Sequence, residues 1–552
     1  GAPLAVFRAL EKKGLVAVHD REALRRPDPA AAIGRTDAPP ALTAEQQDAL
    51  EAIRQGIASG AFSPYLLHGV TGSGKTEVYI HAIAEALRRG GCAIYLVPEI
   101  ALTPQLLGRL ESRFAPEEIA VLHSGIGAAM RYDQWRRIVR GDAKIVVGAR
   151  SAVFAPARDL RLIIVDEEHD TSYKQDERMP YNARDLAVVR AQQRGAAVVL
   201  GSATPGLQSC YNTREKRFGY LSLTRRVEQR ELPHIEIVDM KGERDPNGRV
   251  RPLSRLLVEQ IGRTLEAGKQ ALLFLNRRGF NTYHYCGDCA HVFRCLNCAV
   301  SLTHHLSEGT LRCHYCDFAV KAPPSCPGCG GGRILSYGLG TERLAAEVQA
   351  LFPQARVARM DSDTTSARGS HERILAALGR GEIDILVGTQ MITKGHDFPD
   401  VTLVGVVSAD TTLNMPDFRA AERTFQVLTQ VSGRSGRGER PGTVVIQTLN
   451  PGHYAIRRTC AHDFAGFYED EIALRRDLQY PPFSRMINLI VSGTNRERVE
   501  KGAQRLGQRA KRLAAGADSR ARPTVTGPME APLGKVRGRY RWQLLVRGKQ
   551  VR

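Results

Sequence analysis

Short apolar runs alternate with longer amphipathic stretches along most of this 552-residue sequence. In the first half, each of five apolar runs comes before a helical pattern: YLLHGV, AIYLVPE, KIVVGA, LRLIIVDEE and AAVVLGSAT. From about residue 268 to residue 450 the alternation repeats, with the runs ALLFLNRR, ARVARMDSD, DILVGTQ, TLVGVVSAD and GTVVIQTLN. Such alternation is typical of a parallel sheet with helices on both faces. The sequence therefore predicts two open α/β sheets in tandem.

Composition and charge narrow the class of protein. Hydrophobic residues make up 43% of the chain, which is ordinary for globular proteins, and the length suits roughly two to four domains. No run of 18 apolar residues is present and no secretion signal opens the sequence, so we expect a cytoplasmic protein that does not enter membranes. The net charge of +20 favours a nucleic-acid partner. Residues 465–552 carry +11 of it, with 19 Lys and Arg against 8 Asp and Glu.

The segment GVTGSGKT fits the pattern of a phosphate-binding loop and lies between a predicted strand and a predicted helix. Glycine allows the backbone N–H groups of such a loop to surround phosphate oxygens at a helix N-terminus. Lys75 would supply charge to the β and γ phosphates, and Thr76 would hold Mg²⁺. We therefore predict that ATP binds here. The loop consists of Gly69, Val70, Thr71, Gly72, Ser73, Gly74, Lys75 and Thr76.

The run LRLIIVDEEHD ends a predicted strand in a group of acidic residues. A carboxylate at the end of a strand can hold magnesium through water, and its neighbour can polarise the water that attacks the γ-phosphate. We assign the first role to Asp166 and the second to Glu167.

Eight of the 11 cysteines form four CxxC pairs. Without a secretion signal this pattern favours metal over disulfides, and eight thiolates suit two tetrahedral zinc sites. Four pairs can join in three ways, but the 14-residue gap between the second and third pairs favours nesting. The nested sites would be an inner one of Cys295, Cys298, Cys313 and Cys316, and an outer one of Cys286, Cys289, Cys326 and Cys329. Four nearby histidines are expected to be surface residues rather than ligands: His291, His304, His305 and His314.

Four segments resemble, in order, the motifs of superfamily 2 helicases: DEEH, GSATPG, VGTQMITKGHDFPDV and QVSGRSGRGERPG. The resemblance implies that SAT couples two lobes, that the third segment touches nucleic acid and nucleotide, and that arginines of the fourth reach the γ-phosphate. The matching residues are Ser202, Ala203, Thr204, Thr389, Lys394, Gly395, Asp397, Gln430, Arg434 and Arg437. The family also has a glutamine that contacts adenine before the phosphate loop. Gln46 fits its register better than Gln47, with a plain helix-surface role as the alternative.

The segment HDTSYKQDERMPYNARDLA resembles the loop that senses single-stranded DNA in some DNA helicases, although it has fewer aromatic residues than the family usually shows. The resemblance implies that two tyrosines stack on bases and three cationic residues contact phosphates. These are Tyr173, Tyr181, Lys174, Arg178 and Arg184.

A cysteine-rich insertion in the second lobe, preceded by LNRRGF, makes the chain similar to the bacterial replication-restart helicases, also called primosomal helicases. This resemblance runs from about residue 42 to the end and includes PPFSRMINLIVSG and VTGPMEAPLGKVRGRYRWQLLV. It implies 3′ to 5′ translocation, recognition of abandoned forks and D-loops, and nested zinc sites where the duplex separates. The partners it implies are forked and single-stranded DNA, primosome proteins and single-stranded-DNA-binding protein. We expect a monomer associated with the nucleoid.

We therefore expect an α/β fold: two tandem RecA-like domains with a zinc-binding insertion in the second, and a small α/β C-terminal domain. The expected boundaries are a winged-helix remnant at 1–24, a linker at 25–41, lobe one at 42–224, lobe two at 225–464, the zinc insertion at 284–334 and a basic C-terminal domain at 465–552.

The predicted function is that of an ATP-dependent DNA helicase with Mg²⁺ and two structural Zn²⁺ ions. An RNA helicase, or a translocase that does not separate strands, has the same motor motifs and stays open as an alternative. A zinc-bearing scaffold with a vestigial ATPase is a second alternative, which the intact motor residues argue against. A third alternative is that the zinc module is purely structural and does not contact DNA. A zinc hydrolase is excluded because four thiolates leave no coordination position for water.

Overall fold

The computed structural model describes residues 4–17, 40–98, 104–176, 179–227, 232–246, 251–275, 284–289, 291–298, 300–305, 309–336, 340–361, 364, 370–389, 392, 398–435, 442–517 and 522–549. The chain divides into two compact units. The first unit is Gly1–Leu67 with Lys75–Gly201, and the second is His68–Gly74 with Ser202–Arg552. Within the described ranges, no helix combines the length and the apolar character needed to span a membrane.

The first unit is built on a parallel sheet with helices between its strands. Its helices are α1 (Leu4–Lys12), α2 (Ala44–Ser59), α3 (Lys75–Arg88), α4 (Pro104–Glu111), α5 (Ala128–Arg140) and α6 (Ala183–Arg194). Its strands are β1 (Ser63–Gly69), β2 (Cys92–Leu96), β3 (Ile119–Leu122), β4 (Ile145–Gly148), β5 (Leu160–Val165), β6 (Lys174–Gln175), β7 (Tyr181–Asn182) and β8 (Ala197–Ser202).

Strands β3, β4, β2, β5 and β8 pair in that order, all in parallel, and β1 lies next to β8. Every residue of β4 and β8 is buried, as expected of strands that are covered on both faces. The predicted parallel sheet is therefore confirmed. Strand β3 is absent from the predicted series, because an edge strand of four residues leaves too short an apolar run to recognise.

The second unit contains the remaining elements. Its helices are α7 (Leu207–Arg214), α8 (Arg255–Glu266), α9 (Thr341–Leu351), α10 (Ser370–Gly379), α11 (Asp410–Leu413), α12 (Ala420–Ser432), α13 (Tyr454–Cys460), α14 (Phe464–Asp477) and α15 (Arg496–Ala515). Its strands are β9 (Gly219–Leu223), β10 (His234–Asp239), β11 (Gln270–Phe274), β12 (His284–Cys286), β13 (Thr303–His305), β14 (Thr310–Arg312), β15 (Ala319–Lys321), β16 (Ile334–Ser336), β17 (Val357–Met360), β18 (Ile385–Gly388), β19 (Val401–Val406), β20 (Thr443–Thr448), β21 (Arg485–Gly493), β22 (Thr524–Val536) and β23 (Arg539–Gly548).

The second predicted sheet is also confirmed. It has the order β10-β20-β19-β11-β18-β17, and all of its pairs are parallel. Strand β10 is not among the predicted strands. Its sequence, HIEIVD, alternates apolar and polar residues because it lies at the edge and is only half-buried, so it lacks the continuous apolar run of the inner strands.

The cysteine-rich insertion lies between β11 and α9, as predicted, and consists of small antiparallel sheets. Strand β12 pairs with β16, while β13, β14 and β15 form a three-stranded sheet. The C-terminal region forms a third antiparallel sheet, in the order β21-β23-β22, and α15 packs on it. The predicted domain boundaries and the winged-helix origin of α1 stay predictions.

A buried ionic network joins four helices of the second unit. Glu422 on α12 accepts hydrogen bonds from the Leu207 amide at the start of α7 (2.9 Å) and from the Arg475 guanidinium of α14 (2.7 Å). Arg475 also donates to Glu471 (2.8 Å), which accepts from the Tyr454 hydroxyl. Burial alone would raise the pKa of Glu422, but nearby arginines, Arg475 first, lower it to about 2. The carboxylate is therefore charged in the folded protein.

We predict that Glu422→Gln lowers the free energy of unfolding of the second unit by about 3 kcal/mol, because removing one partner of a buried pair leaves the other charge poorly compensated. Glu469→Gln is the matched control. Glu469 pairs with Arg214 and joins the same α7 and α14, but its side chain is 59% exposed, so its loss should cost less than about 1 kcal/mol. Urea unfolding followed by circular dichroism measures both. Equal losses for the two variants would contradict the role given to the network.

Candidate nucleotide site and metal centre

The predicted phosphate-binding loop connects the end of β1 to the start of α3, which begins at Lys75. Gly72 and Gly74 have φ angles of +83° and +79°, which glycine adopts at little cost. The Ser73 amide donates to the Val70 carbonyl (3.0 Å) and closes a turn in the loop. Backbone amides at a helix N-terminus form an anion site, so this geometry fits a phosphate group.

Asp166 and Glu167 follow β5 at the carboxyl end of the first sheet. The Tyr79 hydroxyl donates to one Asp166 oxygen (3.2 Å) and the Tyr95 hydroxyl to the other (3.4 Å). Burial, with the charge of Glu167, raises the pKa of Asp166 to about 6, while the charge of Lys75 acts in the opposite direction. A buried carboxylate that is positioned by two hydroxyls is well suited to a divalent cation.

Tyr79 and Tyr95 are site residues that sequence reasoning missed. Both are fully buried, and their apolar surroundings in the sequence resemble ordinary core positions. One signal was available: GSAT begins with a glycine in a buried strand. A Cβ at Gly201 would overlap the Tyr79 hydroxyl oxygen, so a glycine there makes room for the tyrosine that holds Asp166.

In the loop after the acidic residues, the positions of two side chains contradict their predicted contacts with DNA. Tyr173 is 1% exposed, and its hydroxyl donates to the carbonyls of Leu96 (3.1 Å) and Asp166 (2.6 Å). A buried ring cannot stack on DNA bases, so the stacking prediction is wrong for Tyr173. Arg184 was expected at phosphates, but its guanidinium is largely buried and pairs with Glu168 (3.2 Å) and Asp185 (2.8 Å). The pattern of residue types does not reveal which side chains are buried.

The other residues predicted for this loop differ in their exposure. Tyr181 is half-buried and contacts Phe154 edge to face at 5.1 Å, while Lys174 is exposed. Arg178 lies outside the described residues. DNA contacts by Lys174 and Tyr181 stay predictions.

The SATPG segment contacts helix α12. Thr204 donates its amide to the Ser202 hydroxyl (2.9 Å), and its carbonyl accepts from the Gln426 side chain (3.4 Å). Helix α12 ends at Ser432, just before the GRSGR segment. A Cβ at Gly433 would lie 3.5 Å from the Thr71 hydroxyl of the phosphate loop. The predicted motifs are therefore joined by short contacts within the second unit.

For several other predicted site residues, the structure gives the exposure or the position in a helix. Arg434 and Thr389 are half-buried, and Gln430 lies in the last turn of α12. Gln46 is the third residue of α2, where its side chain and Thr43 form a reciprocal cap (2.9 and 3.3 Å). Arg437, Lys394, Gly395 and Asp397 lie outside the described residues. Contact of these groups with a nucleotide stays a prediction.

The eight paired cysteines form two groups of four sulfurs: Cys286, Cys289, Cys326 and Cys329, and Cys295, Cys298, Cys313 and Cys316. In each group all sulfurs lie within 4.8 Å of one another, and the nested pairing is confirmed. The sulfurs of Cys286 and Cys329 are 3.6 Å apart, and those of Cys295 and Cys316 are 3.5 Å apart. Four sulfurs at about 2.3 Å from zinc would be roughly 3.8 Å apart, so both groups fit a tetrahedral zinc ion.

Backbone amides support this assignment. The Asp288, Gly328 and Tyr315 amides donate to the sulfurs of Cys286, Cys326 and Cys313 at 3.3 to 3.4 Å, which stabilises thiolates. Among the described residues, neither group includes a histidine. His314 is 3% exposed, so the expectation of a surface position is wrong for it, although it is not a ligand. The His305 side chain lies outside the described residues.

The inner site is anchored to its surroundings within the second unit. The Tyr480 hydroxyl donates to the Cys298 carbonyl (3.3 Å), and the Gln543 side chain donates to the His314 carbonyl (3.2 Å). Tyr315, next to the Cys316 ligand, accepts from the Phe418 amide (3.2 Å). Tyr480 and Gln543 belong to the C-terminal part of the chain. The cysteine-rich module is therefore fixed both to the segment before α12 and to the C-terminal region.

Matches to known families cover most of the chain. Residues 43–213 match the DEAD/DEAH box helicase family, and residues 330–439 match the helicase conserved C-terminal domain. Residues 295–321 match the PriA DNA helicase Cys-rich region domain, and residues 476–552 match the primosomal protein N C-terminal domain.

Individual proteins are similar over nearly the whole chain. The chain is 46% identical to the replication restart protein PriA of Bacillus subtilis (strain 168), over 99% of this chain and 67% of that protein. It is 43% identical to replication restart protein PriA of Synechocystis sp., over 98% of this chain and 65% of that protein. The chain thus spans about two thirds of the length of these relatives. Among solved structures, RecG bound to a three-way DNA junction is similar with a TM-score of 0.48 at 17% identity, over 80% of this chain and 50% of that one.

We predict that the purified chain holds two zinc ions, because each group of four cysteines forms a complete ligand set. Cys313→Ser should lower the content to about one ion per chain, since a hydroxyl is a much poorer zinc ligand than a thiolate. Mass spectrometry of gel-filtered protein measures the content. Cys460→Ser, which changes a half-buried cysteine outside both groups, is the control and should retain both ions. A content unchanged in Cys313→Ser would contradict the ligand assignment.

Proposed function

Because the chain belongs to the PriA family of replication restart proteins, we propose that it is an ATP-dependent DNA helicase that translocates 3′ to 5′ and restarts replication. It recognises abandoned or stalled forks and D-loops, and opens a site at which the primosome assembles. The observation that carries the ATPase part of this proposal is the buried Asp166, which Tyr79 and Tyr95 hold near Lys75.

In this proposal the loop from Gly69 to Thr76 binds the phosphates of ATP. Its backbone amides and Lys75 provide positive charge, and Gln46 contacts adenine. Thr76 and Asp166 would hold Mg²⁺, which, when bound, neutralises charge on the β and γ phosphates. Glu167 orients the attacking water. Its φ of +46°, unusual for a residue with a side chain, supports a functional constraint at this position.

Arg434 and Arg437 contact the γ-phosphate in the same proposal. The helix that ends before them is held to the SATPG segment by Gln426 and Glu422. A change at the SATPG segment or at the start of α7 can therefore reach α12 through short buried contacts. We infer that this connection converts ATP hydrolysis into stepwise movement along a DNA strand, which the protein binds largely through its phosphates.

The zinc module separates the strands and provides a docking surface for primosome proteins. Its anchors to Tyr480 and Gln543 support this role, because a module that separates a duplex has to resist force without moving. Partner proteins in the proposal are primosome components and single-stranded-DNA-binding protein. The protein would act as a monomer in the cytoplasm, at the nucleoid.

We predict that forked DNA stimulates ATP hydrolysis more than single-stranded DNA, and that RNA of matched length stimulates it least. Lys75→Ala should abolish the stimulated rate, by at least about 100-fold, because the lysine charge neutralises the transferring phosphate. Steady-state phosphate release with each nucleic acid measures this. Equal stimulation by RNA and DNA would favour an RNA helicase. No stimulation of the wild-type chain by any nucleic acid would contradict the motor assignment for this chain.

We predict that Cys313→Ser leaves DNA-stimulated ATPase within about twofold of wild type but lowers unwinding of a forked duplex by about tenfold or more, because the inner zinc site supports the module and not the phosphate loop. Fluorescent strand separation and phosphate release, measured in the same sample, give both values. Cys460→Ser is again the control. Equal loss of both activities would show that the zinc module cannot be separated from the motor.

A further inference from the structure

A segment that belongs to none of the helicase motifs runs beside the phosphate loop. It is the stretch Leu223–Val227, sequence LTRRV, at the end of β9. The Val70 amide donates to the Leu223 carbonyl (3.2 Å), and the Val227 amide donates to the Gly72 carbonyl (3.1 Å). The loop and the segment are therefore joined at two points, and both belong to the second unit.

The spacing of these two bonds shapes the segment. The bonded loop residues, Val70 and Gly72, are two positions apart, whereas the bonded segment residues, Leu223 and Val227, are four positions apart. This is the spacing of a regular parallel pair, in which Gly72 lies opposite Arg226. The segment contains two adjacent arginines, Arg225 and Arg226.

The two arginines differ in their position. Arg225 is exposed, whereas Arg226 is half-buried, and the Arg226 Cγ lies 3.9 Å from the place where a Cβ of Gly72 would be. Because Gly72 has a φ of +83° and no side chain, the stem of Arg226 can pass close to the loop backbone. Arg226 is thus packed on the phosphate loop while its neighbour points to solvent.

The stem of Arg226 lies on the phosphate loop, and its guanidinium has the charge opposite to that of a phosphate ligand. Its planar N–H groups match two phosphate oxygens, and such charged hydrogen bonds are about twice as strong as neutral ones. We propose that Arg226 binds the phosphate groups of the nucleotide at this loop. This inference rests on the proposed ATPase function.

The test compares Arg226→Ala with Arg225→Ala in the full chain. Binding of ATP with Mg²⁺ is measured by titration calorimetry, and binding of inorganic tripolyphosphate is measured in the same way. We expect Arg226→Ala to weaken both ligands by about tenfold, the loss typical of one charged hydrogen-bonding group. Arg225→Ala should bind both as the wild type does. Arg226→Lys should recover part of the affinity, because it restores the charge without the planar fork.

The possible outcomes are distinct. Wild-type affinity in Arg226→Ala would overturn the inference and leave the proposed function intact. Loss of ATP binding with normal tripolyphosphate binding would overturn the phosphate contact. Equal losses in Arg225→Ala would mean that general positive charge, and not a built contact, is responsible, and would also overturn it. A wild-type chain that bound no ATP would overturn the proposed function and this inference together.

Discussion

The buried carboxylate of Glu422 is the interaction on which the arrangement of the second unit depends. It lies at the N-terminus of α7, whose first residue, Leu207, has no side-chain cap of its own, and it pairs with Arg475 of α14. A negative charge at a helix N-terminus is favourable, and a buried one needs a cation. One side chain therefore satisfies two requirements. It fixes the SATPG segment to the helix that leads to the arginine motif and to the helix that leads into the C-terminal sheet.

The zinc module is too small to be stabilised by its apolar core alone. Its own apolar core is small, consisting mainly of Phe293, Val300, Leu302 and Leu311, and its strands are three residues long. Strands of that length cannot hold a fold together without help. Metal coordination provides the missing free energy, since a structural zinc site contributes directly to folding. The module can therefore be rigid without a large core, and Tyr480 and Gln543 connect that rigidity to the C-terminal sheet.

Most of the architecture could be predicted from the sequence, because inner parallel strands are continuous apolar runs and CxxC spacing restricts how thiolates can meet. The edge strands β3 and β10 escaped prediction, since one is short and the other alternates. The phosphate loop, Asp166 and the nested cysteines follow from local patterns. The roles of Tyr79, Tyr173 and Arg184 do not, because burial and partner choice arise only when distant segments pack. The position of Arg226 beside the phosphate loop could not be predicted for the same reason. It depends on two backbone hydrogen bonds between its segment and a loop about 150 positions earlier.

The contact between Gly201 and Tyr79 limits how this protein can evolve. A side chain at position 201 would occupy the place of the tyrosine hydroxyl, so even alanine requires a smaller residue at position 79. Phenylalanine would remove the hydroxyl oxygen, but its ring carbon would still lie 2.8 Å from a Cβ at position 201, and Asp166 would lose one of its two hydroxyl donors. The two positions are therefore epistatic, because the effect of a substitution at one depends on the residue at the other. Any single substitution at either position disturbs the hydrogen bonds that hold Asp166.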